Sequence, residues 1–229
     1  MKPKVFTSAF RATIPVLLGY SAIGLAFGML LYYSGLPMFL APLMSIVIFA
    51  GAAQFIGIGL FASNAGFAEI ATVILLVNAR HMVYGLSLLE NFKSTKPYKP
   101  YLIFALTDET YGLLTTIDPP EEVDRGKFYF FISILNHSYW VTASILGYIA
   151  GSYIPISMEG LEFALTALFV VLLIEQIKST DKAMPFLIAG ASAVGCYFLF
   201  PDNMLITALG VSIVVLIISM RGWRRNDDD

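Results

Sequence analysis

The residues with the most chemistry to offer lie where polar groups are costly. Asn78-Ala79-Arg80-His81 sits in the middle of an apolar run from about Phe67 to Leu89, long enough to cross a bilayer as a helix. An arginine at the centre of such a run costs between about 3 and more than about 10 kcal/mol, depending on the reference state. The nearest end of the run is roughly nine residues, or roughly 13 Å, away, too far for easy snorkelling. Arg80 is therefore expected to face protein or a water-filled cavity, with a counter-charge beside it. Asp108-Glu109, near the middle of the next apolar segment, supplies one.

Other polar groups fall at a similar depth. Gln54 follows Gly51-Ala52-Ala53 in the preceding apolar segment, and Asn136-His137 lie close to the middle of the one after Asp108-Glu109. Four consecutive segments thus carry polar or ionisable side chains near their centres, and such residues mark a functional site by default. At helical spacing, Ser133, Asn136, Trp140, Ser144, Gly147 and Gly151 form one polar or small face, with His137 at its border. Asn78 and His81 share a face, Arg80 aligns with Tyr84, and Asp108 aligns with Tyr111 and Gly112. If these faces converge, Arg80 would hold a carboxylate, Asp108 or Glu109 an ammonium, and the surrounding Leu, Ile, Phe and Met an apolar side chain. A zwitterion with an apolar side chain fits such a cavity. A structural ion pair explains the same charges; Gln54 and Asn136 would then be interhelical packing residues worth about 1 kcal/mol each, and His81 and His137 hydrogen-bonded core histidines.

The elements that must position these residues are apolar helices. Of 229 residues, 58% are hydrophobic and 13% charged, against about a quarter charged in soluble domains. Spans are predicted at about 13–33, 38–62, 67–90, 100–116, 127–152, 159–178, 183–200 and 203–221. Gly35-Leu36-Pro37, Ser63-Asn64-Ala65-Gly66, Lys96-Pro97, Asp118-Pro119-Pro120 and Phe200-Pro201-Asp202-Asn203 separate them with turn chemistry. The expectation is an all-α polytopic membrane protein of seven to eight transmembrane or re-entrant helices, with residues 1–229 as a single membrane domain. The first apolar stretch is too long for a cleaved signal segment and is expected to be retained.

Lysine and arginine near the span ends set the orientation. Lys2, Lys4 and Arg11 place the N-terminus inside, Arg221, Arg224 and Arg225 the C-terminus, and Lys178 with Lys182 the sixth-to-seventh connection. Lys93, Lys96 and Lys99 fall outside under eight full crossings, which re-entry of the second and fourth segments would relieve. Gly24-x-x-x-Gly28 and Gly147-x-x-x-Gly151 form an echo at an offset near 123 residues, as a two-fold internal repeat of four segments per half would produce.

Several function classes are set aside by the same residues. No His-Glu-x-x-His, Gly-x-Ser-x-Gly or Walker-type motif occurs, so neither an enzyme nor direct nucleotide driving is expected. Cys196 is the one cysteine, which rules out an intrachain disulfide and points to a small buried apolar residue. No metal site, cofactor or nucleic-acid partner is expected.

Gly51-Ala52-Ala53-Gln54-Phe55, Asn78-Ala79-Arg80-His81, Thr107-Asp108-Glu109-Thr110-Tyr111 and Asn136-His137-Ser138-Tyr139-Trp140 together resemble the motifs of the AzlC family, large subunits of branched-chain amino-acid exporters. The resemblance covers nearly the whole chain in length, helix number and motif order. It implies export of valine, leucine, isoleucine or related amino acids across the bacterial cytoplasmic membrane, with a small hydrophobic partner of the AzlD type. It assigns no roles to the midplane residues. The leading expectation is a secondary transporter driven by the proton gradient, with His81, His137, Asp108 or Glu109 carrying the coupling proton. A passive small-solute channel and a membrane assembly protein with a structural ion pair are the rivals.

Overall fold

The structure is a computed structural model, in which residues 3–93, 95–119, 123–154, 170, 173–174, 177, 183–201 and 204–226 are described. The expected sixth span, 159–178, lies outside the described residues apart from four isolated positions. The described secondary structure is helical: α1 (Pro3–Tyr33), α2 (Leu40–Val47), α3 (Gly51–Ala62), α4 (Phe67–Ser87), α5 (Lys99–Phe104), α6 (Asp108–Thr116), α7 (Arg125–Tyr153), α8 (Met184–Leu199) and α9 (Met204–Asn226). Val5–Tyr33 and Phe67–Ser87 are long and apolar enough to cross a membrane. At 29 residues α7 is also long enough, roughly 43 Å, but carries a polar face.

Two expected helices are interrupted. The predicted span 38–62 breaks between α2 and α3, where Phe49 takes φ +43° and Ala50 is extended. A bulky residue in the left-handed region costs of order 1–3 kcal/mol and persists only where its surroundings hold it. The predicted span 100–116 breaks between α5 and α6. There Thr107 is extended and its hydroxyl accepts the Thr110 backbone N–H at 3.3 Å, while Asp108 and Glu109 occupy the first turn of α6. An N-cap followed by two acids starts a helix, because it satisfies an orphan donor and complements the positive end of the dipole. Thr107-Asp108-Glu109-Thr110 is therefore a start signal in the middle of an apolar stretch rather than a polar intrusion into a continuous helix.

The first helix begins ten residues before the expected boundary. Val5 and Ala9, one turn apart, are buried in a cluster with Leu102, Phe128, Tyr129 and Ile132, and Phe6 meets Phe131 edge-on at 5.7 Å. That burial draws the lysine- and arginine-bearing segment into the helix. At the start of α7, the Asp124 side chain caps the Lys127 N–H at 2.8 Å.

The chain divides into two compact units, Met1–Ala65 with Val77–Leu161, and Gly66–Leu76 with Glu162–Asp229. In the second, α8 and α9 pack on each other, and Cys196 is buried as expected. The first is organised on α1 and α7, which run parallel. Phe6 meets Phe131 near their starts, Thr13 Oγ1 meets the Tyr139 hydroxyl at 3.1 Å, and the Tyr33 hydroxyl donates to the Ile154 carbonyl at their ends. Glycine makes this approach close enough for backbone to touch backbone. A Cβ on Gly28 would fall 2.8 Å from the Gly147 carbonyl carbon, and one on Gly147 2.7 Å from Leu25 Cα. The two glycine pairs of the sequence echo are thus opposite sides of one helix crossing.

Candidate functional site

Three residues of α7 touch all four pieces of the interrupted helices. Trp140 donates its indole N–H to Gln54 Oε1 on α3 at 2.9 Å. His137 meets the Ser45 carbonyl on α2 through Nε2 at 3.1 Å and the Tyr101 hydroxyl on α5 through Nδ1 at 2.9 Å. Asn136 donates from Nδ2 to Thr110 Oγ1 on α6 at 3.0 Å. Helical spacing explains the arrangement, since residues 136, 137 and 140 lie within one turn and fan out across neighbouring faces.

Donor and acceptor rules orient these groups. An indole N–H only donates, so the Gln54 carbonyl oxygen must face Trp140, leaving Nε2 to donate to Ser45 Oγ at 3.2 Å. A carbonyl only accepts, so His137 Nε2 carries a proton, and Nδ1 accepts from Tyr101 in the neutral ring. The strained Phe49 at the first break stacks on His137, with ring centroids 4.2 Å apart and planes at 27°. This network joins both breaks from the side of α2, α3 and α5.

A second network runs along α6. The Tyr20 hydroxyl of α1 donates to Glu109 Oε2 at 2.7 Å and lies 2.7 Å from Thr107 Oγ1. Thr107 Oγ1 lies 3.1 Å from Thr110 Oγ1, which receives Asn136 Nδ2. Tyr20 also packs edge-on against Trp140 at 5.2 Å, so the two networks meet at that pair of rings. Asn136 is fully buried and Glu109 exposed, so the chain of bonds passes from surface to interior.

The expected site residues therefore separate. Gln54 and His137 belong to the first network, and Asn136 and Glu109 to the second. Asp108 is half-buried in the first turn of α6. On α4, Asn78 is half-buried, and the His81 ring lies 5.8 Å from Tyr84, which stacks on Tyr111 of α6 at 4.4 Å. The Arg80 side chain lies outside the described residues, and with it the expected pairing to Asp108 or Glu109. The polar face expected on α7 is buried throughout, from Ser133 to Gly151.

Sequence reasoning missed Tyr20, Ser45, Tyr101, Thr107 and Thr110 as members of the site. Tyr20 carried a usable signal, a phenol in the middle of an apolar span instead of at its ends, where tyrosine ordinarily anchors. Among the described residues, no three His, Cys, Asp or Glu side chains are grouped to hold a metal ion.

Residues 15–154, which contain every member of both networks, match the family model described as AzlC protein. The chain belongs to the AzlC family. Over 94% of its length and 85% of the relative's, it is 36% identical to the branched-chain amino acid transport protein AzlC of Bacillus subtilis. It is 43% identical to an uncharacterized membrane protein of Helicobacter pylori, covering 94% of this chain and 95% of that one. Similarity extends to the inner membrane protein YgaZ of Escherichia coli, 25% identical over 76% of this chain and 74% of the relative. No solved structure matches the chain. It is a membrane protein, and the AzlC motifs now have places: at the start of α3, within α4, at the cap and first turn of α6, and in the middle of α7.

Proposed function

We propose that this chain is the large subunit of a secondary transporter that exports branched-chain or related apolar amino acids across the bacterial cytoplasmic membrane, driven by the proton gradient. The observation that carries this reading is the convergence of two interrupted helices on the buried polar stretch Asn136–Trp140. Backbone released from a helix within a membrane is tolerated where protein or a cavity surrounds it, and broken helices are where transporters bind substrate and coupling ions. The name of the Bacillus subtilis relative supports the substrate class. Both termini face the cytoplasm in this reading, and the seven to eight transmembrane or re-entrant helices belong to one transport domain. The parallel course of α1 and α7 suits two repeated halves. A small AzlD-type membrane subunit completes the transporter, and the breaks are where it rearranges between its two faces.

Efflux of radiolabelled leucine or valine from proteoliposomes, with the small subunit co-reconstituted and with or without an imposed pH gradient, tests the proposal. Gradient-dependent efflux is the expected result. Efflux indifferent to the gradient would point instead to a passive channel, and no flux from a well-folded pair would end the transporter reading.

A further inference from the structure

Five groups follow one another from the exposed side of α6 to the interior of α7. Glu109 Oε2, the Tyr20, Thr107 and Thr110 hydroxyls and the Asn136 carboxamide are separated in turn by 2.7, 2.7, 3.1 and 3.0 Å. The series ends on Asn136 Oδ1, which has no hydrogen-bond partner among the described residues. One turn earlier on the same face, the Ser133 hydroxyl has none either, and both residues are fully buried.

Counting protons shows what such a series can do, because each hydroxyl has one to give. With Glu109 ionised, Tyr20 must donate to it. Thr107 then donates to Tyr20 and Thr110 to Thr107, while Asn136 Nδ2 donates to Thr110 and leaves Oδ1 ready to accept. With a proton on Glu109, the carboxyl donates to Tyr20 and every hydroxyl turns over. Tyr20 donates to Thr107, Thr107 to Thr110, and Thr110 to Asn136. An amide nitrogen cannot accept, so the carboxamide must rotate and place its N–H groups where Oδ1 had been. No proton travels along the series; one binds at Glu109 and the hydroxyls reorient. Thr107 donating to Thr110 belongs to the protonated setting, and Asn136 donating to Thr110 to the ionised one.

We infer that Tyr20, Thr107 and Thr110 are a hydrogen-bond relay tying the orientation of the Asn136 carboxamide to the protonation of Glu109. The buried end beside Ser133 then accepts from a ligand ammonium when Glu109 is ionised and donates to a carboxylate when it is protonated. The ligand in this inference rests on the transporter reading; the relay does not. Glu109 becomes the coupling carboxyl, Asn136 a substrate contact, and Tyr20 a positioning residue. The titratable groups on α6 and the elements packed against it are Asp108 and Tyr111 on α6 itself, Tyr20 from α1, which bonds Glu109, Tyr84 from α4, stacked on Tyr111 with His81 beside it, and Tyr129 of α7, which donates to the Leu114 carbonyl; α7 also offers the neutral Asn136. His137 is a poorer coupling group, since both ring nitrogens are already engaged.

Magnetic resonance on the full chain, reconstituted with its small partner, separates relay from ligand. The side-chain nitrogen signal of Asn136, assigned by its loss in Asn136→Ala, is followed with the Glu109 carboxyl carbon, assigned by its loss in Glu109→Gln, from acid to alkaline pH. The expected result is that both signals change together in the native protein. In Tyr20→Phe the carboxyl still titrates while Asn136 stays still. Thr110→Val cuts the series at another link and keeps the Thr107 cap, so it serves if Tyr20→Phe fails to fold. An Asn136 signal that ignores the Glu109 titration, or follows it equally in both variants, overturns the relay. In the same preparations, leucine affinity should change about tenfold between the two protonation settings and lose that dependence in the variants. An Asn136 signal that switches while leucine does not bind would keep the relay and refute the amino-acid reading. Leucine binding with a silent Asn136 would do the reverse.

Discussion

The α1–α7 crossing and the two helix breaks lie side by side in one compact unit, yet they are held together by different physics. At the crossing, Gly28 and Gly147 let backbones meet with no side chain between them, Gly24 faces the Ala143 methyl, and a Cβ on any of the three would come closer than 3 Å to the facing helix. Contact of that kind has one arrangement, because close-packed surfaces resist continuous deformation. At the breaks, α7 reaches the short helices through single hydrogen bonds to Gln54, the Ser45 carbonyl, Tyr101 and Thr110, beside the apolar packing of Leu102 and Leu114. Each such bond is worth about 1 kcal/mol and can be exchanged for another partner. A fixed spine beside exchangeable struts is the division of labour that the proposed transporter would use.

Substitutions can break or sharpen this contrast. The largest effect is expected from Gly28→Leu, whose side chain would be driven into the Ser144 carbonyl and the Tyr148 backbone. A loss of about 3 kcal/mol or more should appear as unfolded or aggregated protein in thermal unfolding and size-exclusion measurements. Next comes Gln54→Leu, which leaves the buried Trp140 indole N–H without its acceptor. Stability should fall by about 1–3 kcal/mol while the protein remains folded, and leucine efflux should fall more steeply than stability. Tyr101→Phe removes one bond to His137 and leaves the second intact. A cost of about 1 kcal/mol is expected, readable as a small shift in unfolding temperature. The smallest effect belongs to Gly59→Ala on α3, where nothing stands within 4 Å of the new Cβ. Helix propensity should make it neutral or stabilising by up to about 1 kcal/mol, and a loss comparable to that of Gly28→Leu would erase the distinction between packed and open glycines.

Much of this was legible from residue types. The apolar runs located α4, α7, α8 and α9 to within a few residues, and the three- and four-residue spacing on α7 selected the face that is buried. The breaks were harder. Periodicity cannot tell a continuous apolar helix from two short ones in line, and at Phe49 there is neither proline nor glycine to mark the turn, only a phenylalanine in a conformation it seldom adopts. Thr107-Asp108-Glu109-Thr110 did carry a capping signal, which its depth in an apolar stretch disguised. The glycine pairs were visible as a repeat, but sequence spacing alone does not say that two similar stretches face each other. Tyr20 and Ser45 were missed because a lone hydroxyl in an apolar span carries no partner in the sequence; Thr107 and Gln54 become its partners only once the chain is folded.

The most direct measurement is hydrogen–deuterium exchange on the protein reconstituted with its small partner, with and without leucine. The expected result is a change in protection at the two breaks, residues 48–50 and 105–107, and none along the α1–α7 crossing at residues 24–28 and 143–151. Leucine that binds while leaving both breaks unchanged, or that alters exchange at the crossing instead, would contradict a fixed spine with moving half-helices.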